Sequence, residues 1–166
     1  MKKVFTLLAL VGLISLQSCT VTDVAPINDN DTISEVFEVT TSFNASNSYS
    51  KIVGLNPAIF ASDVVLVYHL YDVVNGQDVW RQMPQTYYID NGGAIDYNFD
   101  FTRNDVKIFM GANFALNTIP SSWTQNQTFR IVLVPGKFAS LIDKKDYISV
   151  LAALNLKESQ VQKVNF

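Results

Sequence analysis

From residue 33 onward, apolar and polar side chains alternate, and this period of two constrains the fold more than any other feature. Within residues 35–44, one face of an extended strand carries Phe37, Val39, Thr41 and Phe43. Within residues 94–101, the side chains expected to point inward are Tyr97, Phe99 and Phe101. Alternation of this kind is typical of strands that bury one face and expose the other. We therefore expect a mainly β protein.

Turn signals divide the rest of the chain into further short strands. Residues 63–72 are apolar on both faces, which favours an interior strand that is covered on both sides. Asn75-Gly76 is a strong hairpin signal because both residues tolerate positive φ, and Pro84 either ends the returning strand or marks an edge strand. The other expected strands are residues 49–55, 78–83, 86–89, 106–110 and 128–134. Many short strands joined by tight turns predict an antiparallel β-sandwich.

The periodicity changes near the C-terminus. Apolar side chains recur there at helical spacing, at Tyr147, Val150, Leu151 and Leu154. This pattern predicts a short amphipathic helix over residues 144–154, and Asn155 fits its C-terminal end. We assign residues 33–136 to the β-sandwich. Residues 137–166 are assigned to the C-terminal helix and a closing strand, expected over residues 161–166, of the same domain.

The first 18 residues have the features of a secretory signal peptide. Lys2 and Lys3 precede an apolar run over residues 4–16, which is shorter than the roughly 20 residues that a membrane span needs. Cys19, the only cysteine of the chain, follows this segment. Residues 19–32 are mostly polar and carry too little apolar surface to fold alone, so they are predicted to form a tether.

The end of the apolar run resembles a known processing signal. Leu16-Gln17-Ser18-Cys19 is similar to the lipobox of bacterial lipoproteins. The resemblance implies that Cys19 becomes the first mature residue and carries three acyl chains, which together make a stable membrane anchor. The alternative is a free thiol left after cleavage at another nearby site.

Several segments of the mature chain also resemble small lipoproteins of Bacteroidota. They are SEVFEV at 34–39, DVVLVY at 63–68, DYNFDFTRNDV at 96–106 and TFRIV at 128–132. The resemblance implies an acylated outer-membrane protein with a β-rich domain and no assigned biochemical activity. Surface-export signals in such lipoproteins are typically acidic residues soon after the cysteine. Thr20-Val21-Thr22-Asp23 contains one acidic residue, which favours the periplasmic side over the cell surface.

The composition argues against several classes of function. The net charge is −3 and basic residues form no cluster, which disfavours nucleic-acid binding. The chain has one histidine, His69, and its only cysteine is expected to be acylated, so a zinc site lacks its usual ligands. No Gly-x-Ser-x-Gly or glycine-rich phosphate loop is present. We therefore expect no cofactor, no metal and no catalytic residue.

Two groups of side chains remain as candidates for ligand binding. The first is an aromatic platform for sugar rings, formed by Trp80, Tyr87, Tyr88 and Trp123. The alternative for these residues is core packing, because aromatic side chains usually fill sandwich interiors. The second is the polar face of one strand, formed by Asp96, Asn98 and Asp100, which could bind calcium or serve as glycosidase carboxylates. A solvated outer face is the simpler interpretation, because neighbours on one strand do not face each other.

These features favour a lipid-anchored, non-enzymatic interaction domain of the cell envelope. Its membrane partner is reached through Cys19, and its other partner is expected to be an envelope protein or a glycan, bound by a sheet face or by the loop over residues 111–127. The alternatives are a carbohydrate-binding surface lipoprotein and an envelope hydrolase.

Overall fold

A computed structural model describes residues 34–140 and 142–164. The predicted signal peptide, Cys19, the tether and the last two residues lie outside the described residues. In chain order the strands are β1 (Glu35–Thr41), β2 (Ser50–Gly54), β3 (Val64–Val74), β4 (Gln77–Gln82), β5 (Gln85–Ile89), β6 (Gly93–Phe101), β7 (Asp105–Ala112), β8 (Gln127–Val134) and β9 (Gln162–Val164). The helices are α1 (Ser121–Thr124) and α2 (Tyr147–Ala153).

The strands form two sheets that pack face to face, which confirms the predicted β-sandwich. Sheet A has the order β4-β3-β8-β1-β9, and sheet B has the order β2-β7-β6-β5. Neighbouring strands are antiparallel except at one end of sheet A, where β9 pairs with β1 in parallel. The segment that contains α2 connects β8 to β9, which lie on either side of β1 in sheet A.

The main core lies between the two sheets. Its side chains come from the inward-facing positions of both sheets and include Val67, Tyr97, Ile108, Phe129 and Ile131, all fully buried. The ring of Phe129 packs edge-on against Phe43, with 5.9 Å between the ring centres. The predicted inward positions of β1 and β6 are thus largely confirmed.

Phe101 is an exception to the predicted alternation. It was expected inside, but 44% of its surface is exposed. It is the last residue of β6, and its ring stacks on that of Phe99, which is only partly buried. The period of two gives the side to which Phe101 points, but at the end of its strand the side chain is only partly covered.

A second apolar cluster lies on the outer face of sheet A. Leu66, Val132 and Val36 project from three adjacent strands and pack against Val150 and Leu151 of α2. This arrangement confirms that β3 is covered on both faces. The C-terminal helix therefore covers sheet A.

The C-terminal helix is shorter than predicted at its start. It begins at Tyr147, because the side chain of Asp146 caps it by accepting a hydrogen bond from the Ile148 N–H at 3.1 Å. The turn before the helix is bound to β3 instead, because the Tyr68 hydroxyl donates to the Lys144 carbonyl at 2.6 Å. At the other end, Asn155 adopts φ 55°, which fits its predicted role.

The β3–β4 hairpin and the connection after it place β4 at one end of sheet A. Asn75 and Gly76 adopt φ values of 52° and 77°, as the hairpin prediction requires. After Met83-Pro84 the chain leaves sheet A and enters sheet B as β5. The strand β4 and the turn before it are consequently accessible along one side of the domain.

We expect the substitution Phe129→Ala to lower the free energy of unfolding by about 3–5 kcal/mol, because it opens a cavity in the main core. Phe101→Ala is the matched control, since it removes the same atoms from a largely exposed position, and a loss below about 1 kcal/mol is expected. Urea unfolding of the mature protein measures both values. Equal losses in the two variants would contradict the placement of the core between the sheets.

Candidate functional site: the Trp80 groove

The structure separates the four aromatic residues that were candidates for a sugar platform. Tyr87 is buried in the main core, 4% exposed, and its ring lies 5.0 Å from that of Trp123. Tyr88, the next residue of β5, is 84% exposed on the opposite face. Trp80 lies on the outer face of sheet A, beside the C-terminal helix. The four side chains therefore do not form one common surface, and only Tyr87 and Trp123 are in contact.

His69 belongs to a hydrogen-bonded network inside the main core. It is 2% exposed, its Nδ1 lies 2.8 Å from the Tyr87 hydroxyl, and its Nε2 lies 3.0 Å from Oε1 of Gln127. The amide nitrogen of Gln127 donates to the carbonyls of Ser122 and Gln125, so its Oε1 must be an acceptor. His69 is therefore protonated on Nε2 and accepts from Tyr87 on Nδ1.

Burial in the main core determines the charge state of the histidine. Burial lowers the pKa of His69 to about 4, although the hydrogen bond to Gln127 favours the protonated form. Burial also raises the pKa of Tyr87 to about 12. Both ring nitrogens of His69 are bonded to neutral side chains, so the imidazole is a structural element of the core.

The polar candidates on β6 lie on the outer face of sheet B. Asp96 accepts a hydrogen bond from the Thr86 hydroxyl at 2.6 Å, and Asp100 pairs in register with Lys107. Asp96 and Asp100 are four residues apart on one strand, which separates them by roughly 13 Å along it. Among residues 34–140 and 142–164, no three His, Cys, Asp or Glu side chains are grouped closely enough to hold a metal ion.

A row of polar side chains crosses the outer face of sheet A. The strand register places Gln82 opposite Tyr68, Tyr68 opposite Arg130, and Arg130 opposite Glu38. Glu38 is in turn opposite Lys163, whose ammonium lies 3.5 Å from it. Arg130 is at the centre of this row, on the central strand β8, and only 6% of it is exposed.

Arg130 contacts side chains from β1, β4 and α2 and from the segment between α2 and β9. Its guanidinium contacts the carboxylate of Glu38 at 3.0 Å and that of Glu158 at 2.7 Å. It also donates to the Tyr147 hydroxyl at 2.7 Å, and Asp78 lies at 4.0 Å. A buried charge requires such compensation, because an isolated one would cost several kcal/mol.

The local electrostatics keep Arg130 charged. Burial opposes its charge, but Tyr147, Glu158 and the hydrogen bond to Glu38 outweigh that effect, so the pKa of the guanidinium is raised. Burial raises the pKa of Tyr147 to about 12, which keeps its hydroxyl neutral. The cluster therefore holds a permanent cation surrounded by oxygen acceptors.

Trp80 rests on this cluster. The guanidinium of Arg130 lies over the indole ring at 4.2 Å, and the ring of Tyr147 is 5.5 Å away. A cation placed over an indole face is attracted by the negative face of the ring. These contacts fix the orientation of Trp80 while leaving part of its side chain accessible.

Two depressions flank Trp80, and we call them together the Trp80 groove. The first has a volume of about 450 Å³ and is lined by Gly76, Gln77, Asp78, Trp80, Ile148 and Glu158. The second has a volume of about 500 Å³ and is lined by Trp80, Arg81, Gln82, Gln85 and Lys145. Both depressions are open to solvent.

The sequence identified Trp80 but not its neighbours in the groove. One signal was present, because residues 131–134 are apolar on both faces and β8 must therefore be covered on both sides. Arg130 lies in the same strand, so its charge had to be buried and compensated. The identity of its partners could not be found in this way, since Glu38, Asp78 and Glu158 are remote in sequence.

Comparisons of the chain with protein-family models, curated proteins and solved structures found no match. In the part of the chain that the structure describes, no helix is long and apolar enough to span a bilayer.

We expect the stability of the protein to fall as the pH is lowered from about 6.5 to about 4. The unfolded chain takes up a proton on His69 near pH 6.5, whereas the folded protein resists protonation until about pH 4. Because the unfolded state binds more protons in this window, up to roughly 3 kcal/mol is lost across it. Urea unfolding at a series of pH values measures this dependence.

The control for this pH dependence is His69→Gln, which removes the only histidine. Carboxylates also titrate at the low end of the window, so the informative quantity is the difference between the two proteins. The same pH slope in both proteins would contradict the assignment of a neutral, buried His69.

We expect Arg130→Met to lower the free energy of unfolding by about 3 kcal/mol, because it leaves the largely buried Glu38 with only the exposed ammonium of Lys163, at 3.5 Å, as its cation. The side chain of Glu38 is 15% exposed, whereas those of Asp78 and Glu158 are 44% and 55% exposed and can be hydrated. The double variant Arg130→Met, Glu38→Met should therefore be more stable than Arg130→Met alone. Additive losses in this cycle would show that the pair is not coupled.

Proposed function

We propose that this protein is a lipid-anchored, non-enzymatic interaction domain of the bacterial cell envelope, and that it binds its partner in the Trp80 groove. The observation that carries the proposal is the position of Trp80, which lies on β4, the strand at one end of sheet A, between two depressions. The similarity of residues 16–19 to a lipobox supports the anchor.

The groove has the physical properties of a preorganised binding surface. Tryptophan is enriched among the residues that dominate binding energy, because it buries a large area with few rotatable bonds. Trp80 is already fixed by Arg130, and the carboxylate of Glu158 is fixed by the same guanidinium. A ligand therefore pays little conformational entropy to order these two side chains.

The expected location follows from the anchor and the tether. Three acyl chains on Cys19 would hold the protein permanently in a membrane. The tether ends at residue 32, so the domain would stay close to the membrane surface. We propose the periplasmic side of the outer membrane, where the groove can reach components of the envelope.

Site-specific photo-crosslinking in intact cells tests this function. A photoreactive residue is placed at Gln77, in the first depression, or at Ile52, which is 58% exposed on β2 of sheet B. We expect a discrete adduct with an envelope component from position 77 and none from position 52. Trp80→Ala should abolish the adduct, whereas Tyr88→Ala, which removes an exposed aromatic ring elsewhere, should preserve it.

The variant Cys19→Ser tests the proposed lipid anchor. We expect this variant to leave the membrane fraction and to lose most of the adduct at position 77. Adducts of equal yield from positions 77 and 52, or an adduct that survives Trp80→Ala, would overturn the proposed binding surface. Retention of Cys19→Ser in the membrane fraction would overturn the anchor.

A further inference from the structure

We infer that the Trp80 groove binds an oligosaccharide and that the bound chain spans at least two sugar rings, one on each side of Trp80. The inference rests on the proposed function, because it names the ligand class of the same groove. It follows from three features: the indole, the polar lining and the division into two depressions.

The indole of Trp80 can pack against the C–H groups on the face of a sugar ring. A pyranose ring presents C–H groups on its faces and hydroxyl groups around its rim, so it packs on a flat aromatic side chain and needs polar partners at the edges. Trp80 is partly exposed and is held from below by Arg130 and Tyr147. It therefore offers a rigid apolar surface of limited size in a polar surround.

The polar lining of the groove offers hydrogen-bond partners for the hydroxyl groups of a sugar. Apart from Trp80, Ile148 and Gly76, every lining residue carries a polar side chain. Carboxylates and amides offer paired acceptors or donors, which suit neighbouring hydroxyl groups on a sugar ring. The polar side chains available for this role are Gln77, Asp78 and Glu158 in the first depression and Gln82, Gln85 and Lys145 in the second, where the guanidinium of Arg81 instead stacks on the ring of Tyr71 at 3.4 Å.

The same lining disfavours other ligands. A lipid or an apolar peptide would need more apolar surface than Trp80 and Ile148 provide, since its binding depends on the area removed from water. A polyphosphate would meet the carboxylates of Asp78 and Glu158 in the first depression. A protein segment remains the competing ligand, and the experiment below distinguishes it.

The two depressions set the minimum length of the chain. Trp80 lines both, so its indole lies at their junction and each depression can hold one ring beside it. A single sugar can contact only one set of polar side chains, whereas a longer chain reaches both. Affinity should therefore rise with chain length until both depressions are filled.

Tryptophan fluorescence provides a direct test. The chain has two tryptophans, so the Trp123→Phe variant retains Trp80 as its only indole. The mature lipidated protein, in a detergent without sugar head groups, is titrated with mono-, di- and tetrasaccharides of glucose, xylose, mannose and N-acetylglucosamine. We expect at least one series to change the Trp80 emission, with an affinity about tenfold higher for the tetrasaccharide than for the monosaccharide.

Variants of each depression test the two-sided arrangement. Gln77→Ala and Lys145→Ala remove one polar contact from the first and second depressions. Each should weaken tetrasaccharide binding severalfold, and at least one of them should leave the monosaccharide affinity unchanged. Tyr88→Ala is the control and should bind like the parent protein, because its ring lies on sheet B.

The outcomes separate this inference from the proposed function. No change in Trp80 emission up to about 10 mM of any sugar, or equal affinities for mono- and tetrasaccharides, overturns the oligosaccharide assignment. If the adduct at position 77 then still depends on Trp80 and digests as protein, the interaction function stands and its ligand is a polypeptide. If the adduct is also absent, both the inference and the proposed groove fail.

Discussion

The outer half of this domain depends on one set of interactions, the contacts that compensate the buried charge of Arg130. A cation on the central strand of sheet A must be compensated. The compensating groups are Glu38 of β1, Asp78 of β4, and Tyr147 and Glu158 at the two ends of residues 147–158, which we call the C-terminal segment. Their contacts with the same guanidinium hold these elements next to one another. The C-terminal segment is thus bound to the sheet by charge at Glu158 and by apolar packing through α2.

The candidate site is a consequence of that constraint. The first depression lies between β4 and the C-terminal segment, and its two carboxylates are the residues that reach toward Arg130. Trp80 takes its orientation from the same guanidinium. The residues that stabilise the fold on this face therefore also preorganise the groove, so a loss of Arg130 would affect stability and binding together.

The main core and the apolar cluster on the outer face of sheet A accommodate buried polar groups in different ways. On the outer face, Arg130 stays charged because oxygen acceptors surround it. In the main core, His69 stays neutral because burial disfavours its charge and both ring nitrogens have neutral hydrogen-bond partners. Both arrangements satisfy every buried polar atom, since no buried side-chain nitrogen or oxygen in the described residues lacks a partner.

The sequence by itself determined the strands, the hairpin at Asn75-Gly76, the sandwich class and the presence of a C-terminal helix, because alternation and turn chemistry are local properties. It also supports the expectation of an anchor at Cys19. Only the tertiary structure decided which aromatic residue faces solvent beside polar neighbours. The sequence analysis grouped Tyr87 with Tyr88, which the structure places on opposite faces of β5, and it could not show that Trp80 meets Arg130, nor that Glu38 and Glu158 converge on Arg130. Those contacts join residues that are far apart in the chain, and they depend on which strands become neighbours and on what covers each sheet.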